Sequence, residues 1–224
     1  MIMINYRSIF GIVVGLMLTV GTVSAQRLAV ASAGSKTVTL NDKINKNQFV
    51  WVSDAPLESI KGTAENVSGS FTIDPQNLSS INGTIATQVR SMKTGNATRD
   101  NHLVSSEWLD ANKYPAISFT IASVDNIQTN GNIATAVATG NFTMHGVTKK
   151  ITVPFRMTYL PESDKTRQRA PGDLVMIAAD FNISLNDFNV TGTGGVIGSK
   201  VGQTIKITAQ LFGNTTQKGS LSER

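Results

Sequence analysis

The 224-residue chain contains no cysteine and two histidines, His102 and His145. Without cysteine there is no disulfide, no thiol nucleophile and no cysteine-ligated metal, so the stability of the fold must come from packing. A zinc site without cysteine would need both histidines to converge with a carboxylate such as Asp100 or Asp110. The two histidines lie on different predicted elements, each in a position with an ordinary structural role. We therefore predict no metal site and no other cofactor.

The sequence also has little that would support catalysis. It contains no Gly-x-Ser-x-Gly nucleophile elbow, and no serine, histidine and acid occupy recognisable triad positions. The glycine-rich residues 191–200 do not match a phosphate-binding loop, because Gly198-Ser199-Lys200 is not in Gly-Lys-Ser order and no strand-to-helix context surrounds it. A flexible loop between two strands, soft enough to act as a gate, is the simpler interpretation. We expect a protein that is not an enzyme.

Charge is sparse, with charged residues making up 16% of the chain and a formal net charge of +5. The basic excess is scattered rather than concentrated in a patch with interleaved aromatic residues, which argues against nucleic acid as a partner. The same excess suits a transient contact with the anionic headgroups of a membrane surface. The sequence is also compatible with a homodimer.

One long hydrophobic run is present, from Ile9 to Val23, and it follows the single charge of Arg7. It leads into Val-Ser-Ala, the small-residue pattern of a cleavage site, which predicts that residues 1–25 are a signal peptide. The alternative is an uncleaved anchor, because the uncharged run approaches the roughly 20 residues that span a bilayer. Glycines and threonines within the run lower its hydrophobicity and favour cleavage.

The rest of the chain fits one domain. Residues 26–36 are small and polar and predict a mobile linker, residues 37–216 form the domain, and residues 217–224 are predicted to be a flexible tail. Within the domain, apolar and polar residues alternate with a period of two between Gly, Asn, Asp and Pro signals, which predicts strands. The candidates are Gln48–Ser53, Val67–Asp74, Ile81–Met92, Ala116–Val124, Ile133–Met144, Ile151–Leu160, Leu174–Leu185 and Thr204–Phe212. Short turns such as His145-Gly146 indicate an antiparallel meander.

The stretch from Ala97 to Phe119 interrupts this alternation. Thr98 or Asp100 can cap a short helical turn, and Tyr114-Pro115 returns the chain to an extended conformation. The apolar residues between them do not alternate; they are Leu103, Trp108 and Leu109. Such a segment between two strands is suited to plug one end of a barrel. The predicted fold is all-β, an antiparallel, lipocalin-like β-barrel of about eight strands with a short helical plug.

Three segments carry specific motifs. They are RDNHL with WLDANKYPAISF in the plug region, GNFTMHGVTKKITVPF from Gly140 to Phe155, and FNISLNDF from Phe181 to Phe188. In this order they resemble the YceI-like family of periplasmic lipid-binding proteins, with Phe142 where leucine is commoner in the family. The resemblance covers Thr37 to Leu211. It implies a periplasmic barrel that holds a polyisoprenoid, such as a quinone tail or polyprenyl chain, or another long-chain lipid, for carriage or storage.

A lipid-binding barrel would contact its ligand through the inward apolar residues of its strands and plug. The expected contacts are Phe71, Ile73, Val89, Leu103, Trp108, Leu109, Tyr114, Ile117, Phe119, Ile121, Phe142, Met144, Val153, Phe155, Met157, Phe181, Ile183 and Phe188. Arg99, Asp100 and His102 are expected at the end of the barrel, where an Arg-Asp pair at a helix start would act as a clamp. The alternative function is a structural or interaction module with a packed core and no ligand, because alternation does not show whether inward side chains meet each other or a ligand.

Overall fold

Strands follow the alternating segments of the sequence. The computed structural model describes residues 26–215, so the predicted signal peptide and tail lie outside the described residues. The strands are β1 Lys36–Leu40, β2 Gln48–Asp54, β3 Ser59–Ala64, β4 Ser68–Asp74, β5 Asn77–Gln88, β6 Met92–Lys93, β7 Ala116–Asn130, β8 Ile133–Met144, β9 Val147–Leu160, β10 Leu174–Ser184 and β11 Thr204–Thr215. The helices are α1 Ala97–Val104 and α2 Asp164–Arg167, with 3₁₀ turns at Val89–Ser91 and Asn186–Phe188.

The ring of the barrel runs β1-β4-β5-β7-β8-β9-β10-β11 and closes where β11 pairs with β1. The closing register places Val38 opposite Thr215 and Leu40 opposite Gly213. Neighbouring strands are antiparallel around the ring. The predicted all-β, antiparallel barrel of about eight strands is therefore confirmed.

Three further strands extend the wall at one end. The first half of β11 pairs with β2, from Ile205 opposite Ser53 to Gln210 opposite Gln48, while its last residues pair with β1. β3 then pairs with β2, and β6 pairs with β3. α1 contacts β6 and therefore lies at the end of the barrel that β2, β3 and β6 enlarge.

The inward positions of the strands are buried, as the alternation predicts. In β8, Ala134, Ala136 and Ala138 are 1–6% exposed, whereas the intervening Thr135 faces solvent. Side chains alternate across a strand, so one face of each strand is covered by the barrel interior. Among residues 26–215, no helix is long and apolar enough to cross a membrane.

Residues 26–35 correct the prediction of a mobile linker. The backbone N–H of Leu28 donates to the Pro75 carbonyl at 2.8 Å, and that of Ala29 donates to the Gly131 carbonyl at 2.8 Å. The Leu28 side chain is 1% exposed. The segment has no hydrophobic periodicity, so its sequence gives no sign of an ordered structure. It is ordered because it fills the end of the barrel and donates hydrogen bonds to turn carbonyls there.

Leu28 belongs to a buried layer that closes this end, which we call the floor. The floor consists of Leu28, Val38, Ile73, Leu78, Tyr159 and Val175, each at most 1% exposed. The opposite end carries α1, the β8–β9 turn and the β10–β11 loop. The barrel is therefore asymmetric, with one end filled by side chains of the N-terminal segment and the strands.

A buried carboxylate, Asp173, ties the floor together. Its Oδ2 accepts hydrogen bonds from the Tyr159 hydroxyl and from Ser32 Oγ at 3.1 Å, and lies 3.3 Å from Lys36 Nζ. Its Oδ1 accepts from the Glu162 backbone N–H at 2.8 Å. Burial alone would raise the pKa of Asp173, but the bonds from Tyr159 and Glu162 and the charge of Lys36 hold that pKa below its usual value. Burial and the adjacent carboxylate raise the pKa of Tyr159 well above its usual value.

Candidate binding cavity

The interior of the barrel contains a cavity of about 600 Å³. This volume lies within the range of roughly 300–1,000 Å³ found for small-molecule sites. Side chains from β2, β3, β4, β5 and β7 to β11 line it, and most of them are aliphatic or aromatic. The interior therefore offers a continuous apolar surface that the strand side chains do not fill.

The cavity reaches the surface at the end that carries α1. A polar rim, which we call the mouth, surrounds it there and consists of Glu58, Asn96, Thr98, Arg99, His102, Thr193 and Lys200. The β2–β3 turn, α1 and the β10–β11 loop each contribute to the rim, and the Leu57 N–H joins the turn to the loop by donating to the Ser199 carbonyl at 3.0 Å. An apolar interior behind a polar rim suits an amphiphile with its headgroup at the mouth.

Most of the residues expected from the sequence line this cavity. They are Phe71, Leu103, Trp108, Leu109, Ile117, Phe119, Ile121, Phe142, Met144, Val153, Phe155, Met157, Phe181 and Ile183, with Arg99 and His102 at the mouth. They come from five strands (β4 and β7 to β10) and from the plug, and the closed sheet brings them around one space. The predicted plug itself is α1 with the turns that follow it.

Four expected contact residues lie outside the lining. Ile73 is part of the floor, and Val89 is 1% exposed in a 3₁₀ turn whose N–H donates to the Pro115 carbonyl at 2.9 Å. Phe188 lies behind Phe142, with the ring centroids 5.4 Å apart and the planes at 70°. Tyr114 packs edge-on against His145, with the ring centroids 5.1 Å apart. These corrections share one cause, which is that a buried apolar side chain can support the wall without facing the cavity.

The His145-Gly146 turn has a structural role near the mouth. His145 Nδ1 lies 3.0 Å from the Phe188 carbonyl oxygen, within hydrogen-bonding distance, while the His145 ring meets Tyr114. The turn therefore joins the β8–β9 hairpin to the 3₁₀ turn after β10 and to the segment before β7. Among residues 26–215, no group of three or more His, Cys, Asp or Glu side chains is placed to hold a metal ion.

The helix cap and the clamp differ from the sequence prediction. Asn96, rather than Thr98 or Asp100, caps α1, and its side chain accepts a hydrogen bond from the Arg99 N–H at 3.1 Å. Asp100 accepts bonds from Thr94 N and Oγ1, both at 2.7 Å, and these bonds hold the pKa of Asp100 below its usual value. The carboxylate that pairs with Arg99 is Glu58, at 2.8 Å. Arg99 therefore clamps α1 to the β2–β3 turn instead of to Asp100.

The charges at the mouth do not cancel. Glu58 offsets Arg99, and Lys200 on the opposite loop forms no ion pair within residues 26–215. Among the lining residues this leaves one positive charge in excess. The rim therefore favours a ligand whose polar end accepts hydrogen bonds or carries negative charge.

The expected contact residues included none from β2, although that strand was predicted as Gln48–Ser53, and β3 was not predicted. Phe49, Trp51 and Ile60 line the cavity. Trp51 is 7% exposed, and a Cβ atom on the facing Gly62 would lie 2.2 Å from its ring, so glycine makes room for the indole. The alternation of Phe49, Trp51 and Ser53 in the predicted strand could have revealed this face.

The indole N–H of Trp51 is buried without a hydrogen-bond acceptor in the described part of the chain. Within residues 26–215, its indole Nε1 is the buried side-chain nitrogen or oxygen that has no hydrogen-bond partner. A buried N–H without an acceptor destabilises the folded state, so another contribution of Trp51 must offset this cost. The indole provides a large apolar surface for the cavity wall, which is a sufficient packing role.

Comparisons with known proteins agree with this architecture. The family model described as "YceI-like domain" matches residues 31–212. A protein named YceI from Salmonella newport is 28% identical over 192 residues, covering 86% of this chain and 91% of the relative. A UPF0312 protein from Pseudomonas putida is 32% identical over 155 residues, covering 68% of this chain and 76% of the relative.

Solved structures show the same fold at low sequence identity. BcnA from Burkholderia cenocepacia matches with a TM-score of 0.62 and 20% identity, covering 77% of this chain and 98% of that one. A domain from Saccharophagus degradans, described as polyisoprenoid-binding and implicated in plant cell wall breakdown, matches with a TM-score of 0.58 and 12% identity. That match covers 82% of this chain and 100% of the domain.

Proposed function

Because the chain belongs to the YceI-like family, we propose that it is an exported binding protein that holds a long-chain lipid of the polyisoprenoid class inside its barrel. The observation that carries this proposal is the apolar cavity of about 600 Å³, open at a polar mouth. A packed core leaves few voids larger than a water molecule. The packed-core interaction module is therefore the weaker alternative.

The cavity suits an apolar chain because it offers many apolar contacts and few polar ones. Each buried methylene contributes about 0.8 kcal/mol, so a chain that runs from mouth to floor would gain most of its affinity from burial. Arg99, His102 and Lys200 would then meet the headgroup at the mouth. The polyisoprenoid class is supported by the description of the Saccharophagus degradans domain, and carriage or storage is the role that reversible burial of such a chain would serve.

Mass spectrometry of an organic extract tests the proposal. Protein purified from its native source without detergent should release a polyisoprenoid, such as a quinone or polyprenyl lipid, in a molar amount close to that of the protein. Delipidated protein should take up an added prenol and lose it again to excess unlabelled prenol. A native preparation without lipid, together with delipidated protein that binds no prenol, would contradict the proposal.

Export to the periplasm is proposed from the sequence of residues 1–25 and from the family. N-terminal sequencing of the protein recovered from a periplasmic fraction should begin at Gln26. A chain that starts before Leu16 and sediments with membranes would instead identify the segment as an anchor. We also propose a transient contact with a membrane surface and a homodimer. Sedimentation with anionic vesicles measures the membrane contact, and analytical ultracentrifugation measures the oligomeric state.

A further inference from the structure

The floor separates the cavity from the far end of the barrel at a definite position on each strand. On β4 the lining ends at Phe71 and the next inward residue, Ile73, belongs to the floor. The same step occurs from Met157 to Tyr159 on β9 and from Ile177 to Val175 on β10. Because inward positions recur every second residue, these steps mark where the cavity stops along each strand.

The floor is held by hydrogen bonds to the N-terminal segment as well as by strand packing. The N-terminal segment carries Leu28 into the barrel, and its carbonyls at Val30 and Ser32 accept bonds from Gln76 Nε2 at 3.1 and 3.2 Å. Asp173 then joins Tyr159 to Ser32 of the same segment and to Lys36 at the start of β1. A connected network of satisfied polar groups makes a rigid base, so a chain in the cavity cannot displace it without breaking several bonds.

Resting on the proposed function, we propose that the floor, and Leu28 of the N-terminal segment in particular, sets the length of the lipid chain that the barrel selects. The mouth fixes one end of the ligand by its polar groups, and the floor fixes the other by contact. A chain that is too short leaves apolar wall uncovered. A chain that is too long must push its polar end out of the mouth. Length is then selected by the distance between the two ends.

Two substitutions should move the preferred length in opposite directions. Leu28→Ala removes side-chain volume from the floor. Met157 lines the cavity and belongs to the same buried cluster as Leu28. Its flexible side chain can move into the vacated space and lengthen the cavity. Ala138→Leu adds volume at the lining position of β8 that is nearest to the floor. The next inward residue toward the floor, Ala136, belongs to the same buried cluster as Leu28. Leu57→Ala is the matched control, since the Leu57 side chain is 72% exposed on the β2–β3 turn and the substitution keeps the backbone N–H that donates to Ser199.

The experiment uses delipidated protein and an equimolar mixture of all-trans prenols from farnesol to solanesol, with mass spectrometry of the retained fraction. Retention by the wild type should rise with length, by about fourfold for each added buried carbon, and then fall beyond a preferred prenol. Leu28→Ala should favour the next longer prenol by roughly tenfold relative to the wild type. Ala138→Leu should favour a shorter one, and Leu57→Ala should keep the wild-type profile.

The outcomes separate this proposal from the one beneath it. If all variants bind prenols with the wild-type length profile, the floor does not select length, while lipid binding itself stands. If the wild type retains no prenol, both proposals are overturned. Should circular dichroism show that Leu28→Ala is unfolded, Ala138→Leu decides, and a profile unchanged by that added volume would overturn the role of the floor.

Discussion

Replacing Phe119 by aspartate should leave the barrel folded and abolish lipid binding, whereas the same replacement at Phe142 should unfold the barrel. The two residues are direct partners across β7 and β8, and both line the cavity. They differ in what else they touch. Phe119 is partly exposed, whereas Phe142 is 5% exposed and packs edge-on against Phe181 and Phe188, with centroid distances of 6.1 and 5.4 Å.

The difference in burial decides the outcome. A carboxylate at position 119 can be hydrated by water entering the cavity, and it then presents a charge where the lipid chain should lie. A carboxylate at position 142 would lose the aromatic contacts, at a cost of about 3–5 kcal/mol, and would also be buried without a partner. That sum approaches the total stability of a typical domain, roughly 5–15 kcal/mol.

Circular dichroism and lipid extraction of the same samples measure both effects. Phe119→Leu and Phe142→Leu serve as controls that keep each site apolar, and both should fold and bind prenol. The expected pattern for Phe119→Asp is a native spectrum with at least a hundredfold loss of bound prenol, since losing three or four chain-carbon contacts is worth about that factor. Retained lipid in a folded Phe119→Asp variant would place the chain elsewhere.

Removing the buried carboxylate of the floor should be the most damaging change at the closed end. Asp173→Ala leaves the Tyr159 hydroxyl, Ser32 Oγ and Lys36 Nζ without their shared acceptor, and breaking a buried ionic network from one side costs about 3–5 kcal/mol. Asp173→Asn keeps one acceptor oxygen and should cost less, about 1–3 kcal/mol. Urea denaturation at neutral pH measures both values.

The same carboxylate predicts a dependence of stability on pH. The folded-state pKa of Asp173 is lowered, so its contribution is present above the ordinary aspartate pKa of about 3.9 and is lost as the pH falls through the folded-state value. The free energy of unfolding of the wild type should therefore fall more steeply below about pH 4 than that of Asp173→Asn. Parallel curves for the two proteins would show that folding does not lower the pKa of Asp173.

Much of the wall could be predicted because local pattern and tertiary burial agree there. β8 has the predicted ends, Ile133 and Met144, since strict alternation is bounded by turn residues on both sides. β3 was missed because its inward face consists of Ile60, Gly62 and Ala64, and two small residues give little hydrophobic signal. Gly62 is small because Trp51 of β2 fills the space above it, a requirement that lies outside the segment itself.

The sequence predicted which side chains point into the barrel, but not which of them line the cavity and which pack against each other. Alternation places Ile73 and Phe71 on the same inward face, yet one closes the floor and the other lines the cavity. Ile73 packs in the same buried cluster as Leu28, which comes from a segment with no hydrophobic pattern of its own. The cap of α1 shows the same limit, because Asn96 and Asp100 are both good capping residues and the bonds of Asp100 to Thr94 decide between them.

The seam between β1 and β11 joins the first and last strands of the described chain, Val38 to Thr215. Contacts between residues so far apart in sequence are slow to form, because the entropy of closing a long loop is lost before the contact is gained. Until β11 pairs with β1 and β10, these two strands have unpaired edges and the apolar inner face of the sheet is exposed to water. The barrel should therefore fold late and as a unit, and a chain shortened at its C-terminus before β11 should aggregate through these edges rather than form a smaller barrel.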